Sequence, residues 1–192
     1  MDSVTNIMQH NEKFVQTKEY EAYRSSAFPD KKLVILTCMD TRLTELLPKA
    51  MNIRNGDAKI IKNAGAVISH PYGSVMRSVL VGLYELQAEE VIVVGHYGCG
   101  MAALDADHMI NEIKERGVSP TVLSTLEHSG IDLKSWLQGF GNEKQGVINS
   151  VEIIKNHPLL PPHVPVHGMI IDPATGQLEL LVNGYTQQET SL

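Results

Sequence analysis

Apolar residues in this chain follow two rhythms. Leu33-Val34-Ile35-Leu36, Ala58 to Ile61 and Val91-Ile92-Val93-Val94 are short runs rich in β-branched residues. Such runs mark strands covered on both faces. Between them the spacing turns helical. Residues 43–53 repeat Leu43, Leu46, Leu47, Ala50 and Met51, and residues 72–86 repeat Val75, Val79, Leu83 and Leu86. Asn55-Gly56 is a turn signal between the first of these helices and the second strand. Residues 101–116 read as another helix that Gly117 stops, and 119–156 as further helices broken at Gly130 and near Gly139 to Gly141. Val166 to Ile171 and Leu178 to Val182 are the last strands, with a hairpin turn over Pro173 to Gly176. Alternating strands and helices predict an α/β fold: a mostly parallel central sheet flanked by helices, closed by an antiparallel C-terminal edge hairpin.

Residues 1–28 are polar apart from a loose helical stripe of Ile7, Met8, Phe14 and Val15, so they predict an N-terminal helical arm outside the core. Residues 32–183 form the expected core. No internal repeat or low-complexity linker interrupts the chain, so 1–192 is expected to be one domain. A hydrophobic content of 43% with 20% charged residues suits a globular protein. The net charge of −6 argues against nucleic acid or an anionic membrane as partner. No signal-peptide pattern opens the sequence, and no apolar run nears the ~18 residues of a membrane span. A cytoplasmic location is therefore expected, where Cys38 and Cys99, the two cysteines, are free thiols.

Candidate chemistry gathers in two short motifs. Cys38-Met39-Asp40-Thr41-Arg42 follows the first strand, and His96-Tyr97-Gly98-Cys99 follows the third. Both lie at the carboxyl ends of predicted parallel strands, the edge where open α/β sheets build ligand sites. If the strand continues past Cys38, the two-residue period points Cys38, Asp40 and Arg42 the same way. Two thiolates and an imidazole suit zinc, and three protein ligands leave the open fourth position of a catalytic site. Arg42 beside Asp40 keeps the carboxylate ionised. Asp40 then either accepts a hydrogen bond from zinc-bound hydroxide or swings onto the metal as a fourth ligand.

With these motifs the chain resembles the β-class carbonic anhydrases, in particular their short microbial branch, the plant-type or Cab-type enzymes. Residues 38–42 match the family's C-x-D-x-R pattern and His96 and Cys99 its H-x-x-C. Lys62-Asn63-Ala64-Gly65 is similar to the R/K-N-A-G turn after the second strand, and Val166-His167-Gly168 to the lead-in of the last hairpin. The likeness runs from about Lys32 to Val182. It implies one zinc per subunit held by Cys38, His96 and Cys99, with Asp40 and Arg42 as catalytic dyad. It also implies a homodimer or dimer of dimers with the arm wrapping the partner, and a closed form in some members with the aspartate on zinc. Met39, Lys62 and Gly65 are candidate substrate-pocket residues. In many plant members a Gln before a Pro-Gly-Glu turn helps to bind substrate; here Arg54 stands before Asn55-Gly56-Asp57, so that role does not transfer.

The expected reaction is the reversible hydration of carbon dioxide to bicarbonate and a proton, by attack of zinc-bound hydroxide. A site with two thiolates is neutral overall and acidifies its water less than a site with three histidines, so activity is expected to climb on the alkaline side of neutrality. Two alternatives stand beside it. One is hydrolysis of carbon disulfide or carbonyl sulfide on the same scaffold; the other is a non-catalytic zinc or thiol-redox protein. His163 and His167 are separated by Pro165 and read as surface or packing residues. His70, before Pro71, reads as a loop cap or a proton shuttle, and Tyr97 as packing beside the metal.

Overall fold

The computed structural model describes residues 2–186; the expectations for residue 1 and residues 187–192 lie outside them. Helix α1 (Ser3–Gln16) and a 3₁₀ turn (Glu19–Tyr23) precede the core. The core then runs β1 (Leu33–Cys38), α2 (Leu43–Ala50), β2 (Ala58–Asn63), α3 (Ser74–Tyr84), β3 (Glu90–His96), α4 (Ala106–Glu115), α5 (Pro120–His128), α6 (Leu133–Leu137), α7 (Glu143–Lys155), β4 (Val166–Ile171) and β5 (Leu178–Val182).

The five strands form one sheet in the order β2-β1-β3-β4-β5. β2, β1, β3 and β4 run parallel, and β5 returns antiparallel to β4. The chain leaves β1 to form β2 on one side, then crosses back to form β3 on the other. The crevice between the carboxyl ends of β1 and β3 is therefore the topological switch point, where doubly wound sheets bind ligands. Cys38 ends β1 and His96 ends β3.

Alternation along the strands divides the core into two layers. Val34, Leu36, Val91 and Val93 face α3 and α7 through Met76, Val79, Val147, Val151 and Ile154. Ile35, Ile92 and Val94 face the other way, onto Leu43 and Leu47 of α2. α3 lies close to the sheet because Gly82 has no side chain; a Cβ there would stand 2.5 Å from Val34 Cγ2. A third cluster, from Ala106, Ile110, Leu123, Leu133 and Leu137, gives α4 to α6 a small core of their own.

Four expectations need correction. β2 is an edge strand rather than one covered on both faces, and Ile60 is 43% exposed. The inner face of α3 is Met76, Val79, Gly82 and Leu83, with Val75 partly buried against the same core, while Leu86 lies past the helix end at Tyr84. The helix expected from residue 101 begins at Ala106, because the Asp105 side chain accepts from His108 N at 2.8 Å and caps it. Residues 101–105 run irregularly instead. Lastly, β1 stops at Cys38, so the two-residue period does not reach Asp40 and Arg42. These two lie on a turn into α2, where Leu43 N donates to the Asp40 carbonyl.

The arm lies outside the core as expected: no residue of α1 is buried, and Val4, Ile7, Met8 and Val15 are more than half exposed. Among the described residues no helix is long and apolar enough to cross a membrane.

Candidate metal centre

Cys38, His96 and Cys99 converge at the switch point, all buried, with their ligand atoms within 4.8 Å of one another. Cys38 and His96 arrive on adjacent strands, and Gly98, at φ +65°, turns the chain so that Cys99 comes back beside Cys38. The two sulfurs are 3.9 Å apart. Two sulfurs on one tetrahedral zinc, at Zn–S ≈ 2.3 Å, are separated by about 3.8 Å, so the thiols already hold a metal-sized spacing.

His96 fixes its own tautomer. Its Nδ1 lies 3.0 Å from the Tyr97 carbonyl oxygen, which only accepts, so Nδ1 carries the proton and donates. Nε2 is left as a bare lone pair, buried, with no hydrogen-bond partner. A buried nitrogen without a partner costs roughly 1–3 kcal/mol; a cation facing both sulfurs removes that penalty. The second contact of a ligating histidine is usually such a carbonyl or carboxylate. The Gly65 N–H points at Cys38 Sγ from 3.4 Å and suits a thiolate there. Burial, and then the neighbouring Cys38, push the Cys99 thiol up; a dication between the sulfurs reverses that balance. His157 and His167 also carry buried, unpartnered Nε2 atoms. Among the described residues, however, only the Cys38–His96–Cys99 group brings three metal-ligating side chains together.

Asp40 and Arg42 form a bidentate pair beside this group. Arg42 Nε donates to Asp40 Oδ1 at 3.0 Å and Nη2 to Oδ2 at 2.8 Å, while Arg42 N–H donates to Oδ1 at 2.9 Å. These bonds hold the Asp40 carboxyl far below the usual carboxylate range. Asp40 Oδ2 is also 3.7 Å from His96 Nε2, at the margin of the position a metal would take. Arg42 Nη2 reaches the Gly98 carbonyl at 3.4 Å and so ties the two motifs together.

The group opens into a cleft of about 730 Å³ whose walls include Met39, Ala64, Gly65, Met101 and Leu104. Met39 is 63% exposed at its rim. Gly65 is part of the wall and has φ +85°; a Cβ there would meet Phe140 Cε1 at 2.7 Å and Met101 Cβ at 3.0 Å. Lys62 does not line the cleft. The pleat of β2 turns it toward α2, where its ammonium is 3.4 Å from Thr44 Oγ1. Arg54 is also outside, with its N–H donating to the buried Asp57 at 2.8 Å. His70 Nδ1 accepts from Tyr72 N at 3.0 Å, which is a loop cap. His167 packs against Tyr185 and accepts from Gly184 N, and His163 is exposed. Met101 and Leu104 were not legible as cleft residues, because they stand on the irregular segment before α4 where a helix was expected.

Geometry and donor set define a buried Cys-His-Cys group suited to a metal ion, at a parallel-sheet switch point with an Asp–Arg pair against it. A family profile described as "Carbonic anhydrase" matches residues 33–178. Two Bacillus subtilis proteins, "Putative carbonic anhydrase YvdA" and "Putative carbonic anhydrase YtiB", are 60% and 52% identical to the chain, each over 96% of it and over 94% and 99% of their own lengths. "Carbon disulfide hydrolase" of Acidithiobacillus thiooxidans is 28% identical over 84% of the chain and 83% of its own length. The crystal structure of β-carbonic anhydrase isoform I from Trichomonas vaginalis superposes with a TM-score of 0.88 at 31% identity, covering 96% of this chain and all of that one. The chain belongs to the β-carbonic anhydrase family.

Proposed function

We propose that this protein catalyses the reversible hydration of carbon dioxide to bicarbonate and a proton, with Cys38, His96 and Cys99 holding one zinc ion and Asp40 and Arg42 as the catalytic dyad. The observation that carries the reading is the buried, unpartnered His96 Nε2 facing two thiols 3.9 Å apart. When bound, zinc supplies the Lewis acidity that lowers the pKa of a water ligand.

The chain's own groups do the rest. The Tyr97 carbonyl holds the proton on His96 Nδ1, so the neutral ring presents its Nε2 lone pair to the two sulfurs. Arg42 occupies both oxygens of Asp40 and aims the carboxylate at the metal position. Asp40 Oδ2 keeps a lone pair for a hydrogen bond from the attacking water, which orients the water's own lone pair toward the substrate carbon. Ala64, Gly65, Met101 and Leu104 supply an apolar wall for a small linear substrate. The Asp40–Arg42 pairing favours the open state, since Asp40 must leave Arg42 to become a fourth ligand.

Relatives named carbon disulfide hydrolase supply the second reading, since that substrate has the same shape and undergoes the same attack. The much higher identity to the two relatives named for carbonic anhydrase favours carbon dioxide. Turnover of carbon dioxide, carbon disulfide and carbonyl sulfide by one zinc-loaded preparation separates the readings. The proposal expects rapid hydration of carbon dioxide and slow or no release of sulfide; the reverse order assigns the protein to sulfide-releasing hydrolysis. We further propose a cytoplasmic homodimer or dimer of dimers, supported by the uncovered apolar stripe of α1.

A further inference from the structure

The loop carrying His96 and Cys99 is gripped from outside by groups that belong to neither motif. The Tyr97 hydroxyl donates to Glu179 Oε2 at 2.6 Å, and Lys144 Nζ donates to Glu179 Oε1 at 2.6 Å. Glu179 sits on β5, opposite Ile170 of β4. Lys144 sits in the first turn of α7, with its ammonium 5.8 Å from the Tyr97 ring centroid. The preceding residue, Glu143, accepts from Gly98 N at 3.2 Å. Tyr97 N donates to the Ile171 carbonyl at 3.1 Å. Two adjacent α7 residues and one β5 residue thus fix the side chain of Tyr97 and the N–H of Gly98.

What they fix matters for the metal. The Tyr97 carbonyl is the acceptor that sets the His96 tautomer, and Gly98 is the left-handed residue that returns the chain to Cys99. Losing the outer contact of a metal ligand typically costs about 10–100-fold in metal affinity. Neither acceptor nor turn depends on the ligands' own side chains, so both must be held by their surroundings.

We propose that Tyr97, Glu179 and Lys144, together with Glu143, are positioning residues that bracket the 96–99 loop and slow the escape of zinc. The inference rests on the reading of Cys38, His96 and Cys99 as zinc ligands. The Tyr97–Glu179–Lys144 arm works as one chain, because Glu179 joins the other two. Its members are each a third or more exposed, so solvent moderates the effect. Each single break is expected to speed zinc release on the order of 5-fold, below the roughly 10–100-fold of fully buried outer contacts because solvent screens these groups.

The test is zinc release from the loaded protein to a chromophoric chelator, for the wild type, Tyr97→Phe, Glu179→Gln and their double variant. Asp107→Asn, which removes an exposed ion pair to Lys134 between α4 and α6 that makes no contact with Tyr97, Glu143, Lys144 or Glu179, is the control. Urea midpoints of the metal-free forms are measured alongside. The bracket predicts faster release in both single variants, no further acceleration in the double variant, and wild-type release in the control. It also predicts a weakened thiolate-to-metal charge-transfer band in the cobalt-substituted single variants. Release unchanged in the single variants, or a lower urea midpoint with unchanged release, overturns the bracket. So do single effects that multiply in the double variant. A wild type that binds no stoichiometric zinc, or a His96→Ala variant that retains it as tightly, overturns the zinc reading itself instead.

Discussion

At the residue scale, the site depends on which atoms are left without partners. The convergence of Cys38, His96 and Cys99 was legible because both motifs follow neighbouring parallel strands and end at one sheet edge. Asp40 and Arg42 were legible as a pair, although the turn that joins them is not the extended strand the period-two pattern implied. Gly65 was legible as a pocket residue, but its backbone tells more. It lies at φ +85° with Phe140 and Met101 against the missing Cβ, and its N–H serves Cys38. Gly65→Ala is expected to cost about 2–4 kcal/mol, combining the left-handed strain with overpacking. Denaturant midpoints check this, and zinc affinity should fall with stability because the N–H to Cys38 shifts. An unchanged midpoint would mean that Phe140 moves aside freely. Lys62 was misplaced because a motif gives order along the chain, whereas the pleat decides which face a side chain takes.

At the scale of elements, hydrophobic rhythm located all five strands, and the last two at their observed bounds. It failed where covering or capping decides instead. β2 reads as a buried strand but lies at the edge, and α4 starts late because Asp105 caps it. The bracket on the 96–99 loop was illegible for the same kind of reason: Tyr97 and Glu179 are 82 residues apart and meet only because β5 folds back on β4. The β4–β5 hairpin also carries a pH-sensitive contact. His167 is buried, its Nδ1 accepts from Gly184 N at 3.1 Å, and burial lowers its pKa despite the opposing pull of Glu90. The unfolded chain takes up this proton near pH 6.5 while the folded chain does not. Below that pH the unfolded state binds more protons, so stability falls as pH falls through and beneath about 6.5. Urea midpoints of the metal-free protein between pH 7.5 and 5.5 should decline less steeply in His167→Gln than in the wild type. Parallel slopes would remove His167 as the cause.

For the whole molecule, the fold brings two distant motifs to one crevice because β1 lies between the strands that follow it on either side. Only the structure gives that order, whereas the parallel sheet and its ligand edge follow from alternating strands and helices. The assembly does not, since an exposed amphipathic arm specifies its own stripe and not what covers it. Among the described residues none up to Gln16 is buried, so the core should still fold without residues 1–16. Light scattering should then show a smaller species than the full chain gives; equal masses would take α1 out of the assembly.

The central claim is that an ionised Asp40 beside a Cys-His-Cys zinc site hydrates carbon dioxide. Stopped-flow hydration by the zinc-loaded protein at pH 7 and pH 8.5, beside Asp40→Ala, tests it directly. The expected result is rapid, zinc-dependent turnover, faster at the higher pH, that falls roughly 100-fold in the variant while zinc stays bound. No turnover of carbon dioxide at either pH with zinc in place, or a variant as fast as the wild type, would contradict it.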